Sequence, residues 1–187
     1  MVKVSLSTQE SLILSLIDAD RLRRDALTCV AKLALHDCYI AAGFVRNLVW
    51  DHIHHKHCPT PLNDIDVIYF DPTNTQPQVD LKYEMQLKSM MPALNWQVRN
   101  QARMHKYNGD SPYQNCIDAM SFWPEKETAV GVGVDDSGHW NCIGPFGFET
   151  LLEGKISYNA KRELAVFEQR LQAKQWQVTW PELVVCY

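Results

Sequence analysis

The chain has 187 residues, 46% hydrophobic and 21% charged, the range of one globular domain that buries a core without covalent staples. Eighteen Lys and Arg against 22 Asp and Glu give a formal net charge of −4, which weighs against a protein that coats nucleic acid but leaves room for a local basic pocket. The six cysteines carry no Cys-x-x-Cys pair, so neither a disulfide framework nor a zinc ribbon is expected.

In chain order, the first apolar patch is cut short by acids and arginines, unlike a signal peptide or membrane span, and a cytoplasmic protein is expected. Ser7 is placed to cap a first helix with Glu10 as its capping-box partner, and Leu12, Ile13, Leu16 and Ile17 recur at helical spacing. A second helix carries Leu22, Ala26, Val30 and Leu33. "CYIAAG" (residues 38–43) reads as a short strand ending at a glycine, and "FVRNLVWDHIHH" follows with Val45, Leu48, Val49 and Ile53 at helical spacing. Pro59 and Pro61 make the next segment a loop. "LNDIDVIYFD" (residues 62–71) is a strand stopped by Asp71-Pro72, "VDLKYEMQLKSMM" a helix with Pro92 beyond it, and "NWQVRNQ" a strand. "IDAMSFW" is a short helix before Pro124. "ETAVGVGVDDSGHWNCIGPFGF" reads as a hairpin around residues 135–138, with Thr128, Val130, Val132 and Val134 on one face of its first arm. Phe146, Phe148 and Leu151 are expected to be buried, and the tail is an amphipathic helix striped by Leu164, Phe167 and Leu171, with Trp176 and Trp180 packing it onto the body. The predicted fold is mixed α/β (α+β), a mixed sheet flanked by helices. The expected organisation is one domain over 1–187: a core at about 36–125, helices over 1–35, and a hairpin and helix extension over 126–187.

Asp64 and Asp66 are the anomaly. Two residues apart on a strand, they face the same side with Cα atoms about 6–7 Å apart. Either both acids are solvated at a fraying strand start, or like charges that close are relieved by a proton or by a divalent cation between them. Oxygen-only ligation with open positions suits Mg²⁺ or Mn²⁺ shared with a substrate phosphate. Upstream, Gly43 sits where a strand turns into a helix, whose N-terminus is a ready phosphate site, and Arg46 in the first turn offers a guanidinium fork.

These residues carry a resemblance. "AAGFVRNLVWDHI" followed by "LNDIDVIYFD" resembles the signature of the DNA polymerase beta-like nucleotidyltransferase superfamily. It is similar to the Gly-Gly-x-Val-Arg-Asp and Asp-x-Asp stretches of tRNA nucleotidyltransferase head domains. The chain as a whole resembles a bacterial nucleotidyltransferase-like family of unknown substrate, through "AGFVRNLVWD", "NDIDVIYFD", "NQARMH", "SPY", "ETAVGVGV", "GPFGFETLLEGKI" and "KQWQVTWPEL". The resemblance implies a nucleotidyltransferase-type core and Mg²⁺-dependent, two-metal transfer of a nucleoside monophosphate from an NTP to an acceptor. It implies Asp64 and Asp66 as metal ligands, and Gly43 and Arg46 as phosphate-binding residues. The motif's first glycine is Ala42 here and its acid is Asn47. The third carboxylate stays open between Asp118, Glu127 and none.

"VRNQARMHK" supplies Arg99, Asn100, Gln101, Arg103 and His105 as polar candidates for base or acceptor recognition, with Arg99, Gln101 and Arg103 on one face if the strand continues. "HIHHKHC" lacks a second ligand pair at zinc spacing and reads as a solvated loop. Arg170 and Lys174, spaced i,i+4, either lend charge to the pocket or form a solvated face. A catalytically degenerate nucleotide- or metal-binding module, or an interaction protein such as a toxin-system partner, are the rival expectations. The acceptor is not legible.

Overall fold

The computed structural model describes residues 8–135 and 137–187. Ser7, the expected cap, and Asp136 of the expected turn lie outside them. In chain order the elements are α1 (Thr8–Ala19), α2 (Arg21–Ala31), β1 (Tyr39–Ala41), α3 (Gly43–Ile53), β2 (Ile65–Tyr69), α4 (Pro77–Met90), β3 (Trp96–Asn100), a 3-10 turn (Gln101–Arg103), α5 (His105–Asn108), α6 (Cys116–Met120), β4 (Gly131–Val134), β5 (Trp140–Ile143), α7 (Glu149–Leu152), β6 (Lys155–Ser157), α8 (Leu164–Lys174), α9 (Trp176–Thr179) and β7 (Val184–Cys186).

Five strands form a mixed sheet in the order β3-β2-β1-β4-β5. β2 and β3 run parallel, joined by α4, and the other neighbours are antiparallel. A parallel pair needs a long crossover, which α4 supplies. β6 and β7 make a separate two-stranded parallel ribbon. Strand alternation then sorts the side chains. Ile65, Val67 and Tyr69 face one way, into a core with Ile13 and Ile17 of α1, Leu27 of α2, and Val45, Val49 and Trp50 of α3. Ile68 faces the other way, against Cys116 and Met120 of α6. Asp66, next to Ile68 on that second face, borders an open cleft. One apolar face and one divided face explain why a strand of strong β-formers tolerates acids at its start.

Several expectations change in detail. The first hairpin arm begins only at Gly131, so Thr128 lies in a turn ahead of β4 and its hydroxyl is bonded to Arg46. β3 ends at Asn100 and the chain tightens into the 3-10 turn, so Arg99, Gln101 and Arg103 do not share a strand face. Leu151 is buried, whereas Phe146 and Phe148 are only half-buried. Leu164 is 42% exposed because α8 starts there, and Phe167 is the residue it buries. The tail packs as expected. Trp176 and Trp180 both meet Trp50 edge-on, with ring centroids 5.9 and 5.2 Å away. His54 joins the same junction, its Nδ1 2.8 Å from the Trp50 carbonyl oxygen and its Nε2 accepting from Glu182 N. All six cysteines are unpaired. No helix among the described residues is long and apolar enough to cross a membrane.

Candidate active site

A cleft of about 1070 Å³ opens on the second face of the sheet. Asp64, Asp66 and Ile68 contribute its floor, and Ala42, Gly43, Arg46 and Asn47 one wall. Asp66 is pushed up to about 6, first by burial and then by the neighbouring charge of Asp64. Arg46, Lys174 and Arg99 pull in the opposite direction. Gln97, the register partner of Asp66 on β3, lies 3.4 Å through its Nε2 from Asp64 Oδ2.

The α3 turn is built on an unusual backbone. Ala42 holds φ 55° and ψ −124°, a conformation glycine adopts freely, while Gly43 is the first regular residue of the helix. The strained position of the turn is therefore Ala42, not Gly43. The amides of Val45 and Arg46 donate to the Ala42 carbonyl. Those of Gly43 and Phe44 are the leading donors left for an anion at the helix N-terminus. A side chain at Gly43 would lie 3.4–3.6 Å from the polar atoms of Asn47 and Arg46.

Arg46 is 7% exposed. Its Nη1 donates to Thr128 Oγ1 at 2.6 Å and its Nη2 to Asn47 Oδ1 at 3.0 Å. Its guanidinium lies 5.0 Å from the Trp50 ring and 4.8 Å from the Trp176 ring. Burial lowers it to about 10, partly offset by the Glu125 charge. Among the described residues it forms no ion pair, and its buried Nε has no partner. A buried cation held by neutral groups is poised for an anion.

The C-terminal region adds to the lining. Arg170 and Lys174 of α8, Trp176 and Trp180 all border the cleft, with Arg170 half-buried and Lys174 exposed. Arg170 forks onto Glu125, whose carboxylate is buried. At the cleft's other end Asp110 accepts both Nη groups of Arg162, at 2.8 and 2.6 Å. Those bonds hold Asp110 below the usual carboxylate range. Gln101, Met104, Asn108 and Phe122 line the same end.

Five expected residues lie elsewhere, among them His105 of α5, which is absent from the cleft lining. Asn100 is fully buried, its amide donating to the Asp71 and Asn74 carbonyls and its oxygen accepting from Asp71 N and Ala102 N. Those bonds leave it nothing to offer a ligand. Arg103 turns away from the cleft and pairs with buried Asp80. Asp118 is absent from the cleft lining: its Oδ2 accepts from Gln114 N at 2.9 Å, while its own N donates to the Asn115 cap. The reason is local, since an acid three residues after an Asn cap satisfies the free amides of a helix start. Glu127 is buried and accepts from Ser157 N and Oγ. Neither acid joins Asp64 and Asp66. The residues the sequence reading overlooked are Thr128, Trp176 as a neighbour of Arg46, Asp110 and Arg162. Asp110 and Arg162 are 52 positions apart, and no local pattern announces their pairing.

A family profile described as nucleotidyltransferase matches residues 28–185. The chain belongs to the nucleotidyltransferase family. One solved structure, whose NMR description reports a CCA-adding enzyme head domain, is 30% identical over 94% of this chain and 95% of its own, with a TM-score of 0.82. A CCA-adding enzyme in complex with CTP aligns at 12% identity and TM-score 0.59, covering 92% of this chain and 43% of that one. A tRNA-processing enzyme complex aligns at 14% and 0.53, covering 87% and 43%. These two share the fold alone, and the chain spans less than half their length. No curated protein matches the chain. This nucleotidyltransferase therefore carries a mixed sheet flanked by helices, like a CCA-adding head domain.

Proposed function

We propose that this nucleotidyltransferase moves a nucleoside monophosphate from an NTP to an acceptor in this cleft. The observation that carries the reading is the meeting, in one cleft, of the Asp64–Asp66 pair with the α3 N-terminus and the buried Arg46 guanidinium, which forms no ion pair among the described residues. Two carboxylates lining one cleft, Asp64 just ahead of β2 and Asp66 on it, the latter destabilised by burial and by the former, fit a divalent cation that completes its shell with water and phosphate oxygens. Asp64 and Asp66 would hold Mg²⁺ or Mn²⁺. When bound, such an ion neutralises triphosphate charge and polarises the phosphoryl oxygens.

The protein's own contribution is positioning. The Gly43 turn and Arg46 hold phosphate oxygens, and Asn47 and Thr128 fix the guanidinium. The acceptor hydroxyl oxygen attacks the α-phosphorus in line and its proton passes to solvent, the bond from the α-phosphorus to the α,β-bridging oxygen breaks, and pyrophosphate leaves with that oxygen. Gln101, Asn108 and Phe122, at the far end of the cleft, face the base or the acceptor.

The test is pyrophosphate release with Mg²⁺ or Mn²⁺, each NTP, and a panel of protein, sugar and RNA acceptors. The CCA-adding and tRNA-processing relatives put tRNA in that panel. Release above an Asp64→Asn, Asp66→Asn control supports transfer. One observation favours a second reading, a nucleotide-binding module without transfer: neither Asp118 nor Glu127 stands beside the acid pair. NTP binding with no pyrophosphate above that control from any acceptor would select it.

A further inference from the structure

Resting on the nucleotide-binding reading above, we infer that α8 supplies the second cationic half of the polyphosphate site, with Lys174 as a direct phosphate ligand in the cleft that Asp64 and Asp66 also line. Val166, Arg170 and Lys174 all line the cleft. They are spaced by four, so they form one stripe along the helix. Phe167, on the adjoining face, is fully buried and seats α8 on the body.

The two cations on this stripe differ. Arg170 is committed to Glu125 through two nitrogens. Lys174 is exposed, and among the described residues it has no hydrogen bond or ion pair. It lines the same cleft as Asp64 and Asp66. Arg46, which lines the same cleft, is a buried cation that forms no ion pair among the described residues. Two cations without an ion pair among the described residues, lining one cleft with a carboxylate pair, suit an anion bearing several charges together with its divalent counterion.

The position of Lys174 is fixed from both ends. Before α8, Asn159 donates to the Ser121 and Trp123 carbonyls and Arg162 pairs with Asp110. After it, Trp176 stacks by Arg46, and Trp180 Nε1 donates to Asp51 Oδ1 at 2.8 Å. The lysine stem is free while its base is anchored, which gives a ligand that closes on phosphate without moving the helix.

The test uses the full chain and two probes, inorganic tripolyphosphate and each NTP, both with Mg²⁺, titrated calorimetrically. Lys174→Gln is expected to weaken both by about tenfold, the size of one lost charge-assisted hydrogen bond. Lys174→Arg is expected to restore most of it. Melting temperature is expected to stay at the wild-type value, because the side chain holds no partner in the free protein. In any transfer assay the loss should fall on KM for NTP more than on kcat. Wild-type affinity in Lys174→Gln, with metal-dependent NTP binding lost in Asp64→Asn, Asp66→Asn, overturns the assignment and leaves the nucleotide-binding reading standing. Lys174-dependent binding of tripolyphosphate without any binding of NTP supports the anion site and removes the nucleotide. A wild-type chain that binds neither probe overturns both.

Discussion

At the scale of single residues, Asp66 carries a measurable consequence. Its carboxyl titrates near 6 in the folded chain against an ordinary value of 3.8. The folded state thus binds the proton more tightly than the unfolded state. That contribution is fully present below about 4 and is lost as pH rises through about 6, a change of up to about 3 kcal/mol. Without divalent ions, the stability of wild type relative to Asp66→Asn should fall across that window, and chemical denaturation at pH 4 and 7 measures it. Mg²⁺ should reverse the trend, since it requires the ionised pair. Ala42 makes a second residue-scale case. Its positive φ costs about 1–2 kcal/mol in an L-residue. Ala42→Gly removes that strain but adds unfolded-state freedom. A net gain of about 0.5–1 kcal/mol is expected in urea melts. The Asp-x-Asp pattern and the Gly-Arg turn were legible because both are local, set by a two-residue strand period and a helix start. The strained backbone at Ala42 was not, since composition leads the eye to the glycine beside it.

At the scale of elements, two junctions position the cleft. Asn100 ends β3 and ties the loop at Asp71 and Asn74 to the 3-10 turn. Asn100→Ala leaves two amides and two carbonyls short of partners and should cost about 2–4 kcal/mol, read as a lower urea midpoint with an unchanged slope. The sequence placed Asn100 on a strand end and so suggested a ligand contact. A buried strand end needs its own hydrogen bonds satisfied first. The second junction joins α3 to the tail through Asp51. Its carboxylate accepts from Thr60 N, Thr60 Oγ1 and Trp180 Nε1. Asp51→Ala should lower stability by about 2–4 kcal/mol, and NTP affinity should drop with it, because Trp176 and hence Arg46 lose their seat. If affinity in the folded fraction stays at the wild-type value, the tail does not position Arg46. Asp118 makes the same lesson in reverse: "NCID" is a capping pattern, and that reading accounts for its carboxylate better than metal ligation does.

At the scale of the molecule, the C-terminal region is a cleft wall as much as an extension. Trp176, Trp180 and Leu183 belong to the same buried cluster as Trp50 and Phe44. Removing residues 164–187 would expose that cluster, and the shortened chain is expected to aggregate or to lose its cooperative melt. A cooperative transition near the wild-type temperature would argue that the core folds without its tail. The sequence alone determined the local devices: an acid pair two residues apart at a strand start, a helix turn with an arginine, a helix between two strands, and tryptophans placed to dock a tail. These follow from periodicities of two and 3.6 residues, which any short stretch displays. Only the tertiary structure decided that Arg46 meets Thr128 and Trp176, that Asp110 is held by Arg162, and that Lys174 lines the same cleft as Asp66. Those residues lie 52 to 130 positions apart. The path of the chain, set by burying many apolar residues at once, brings such groups together, and no local pattern encodes that path.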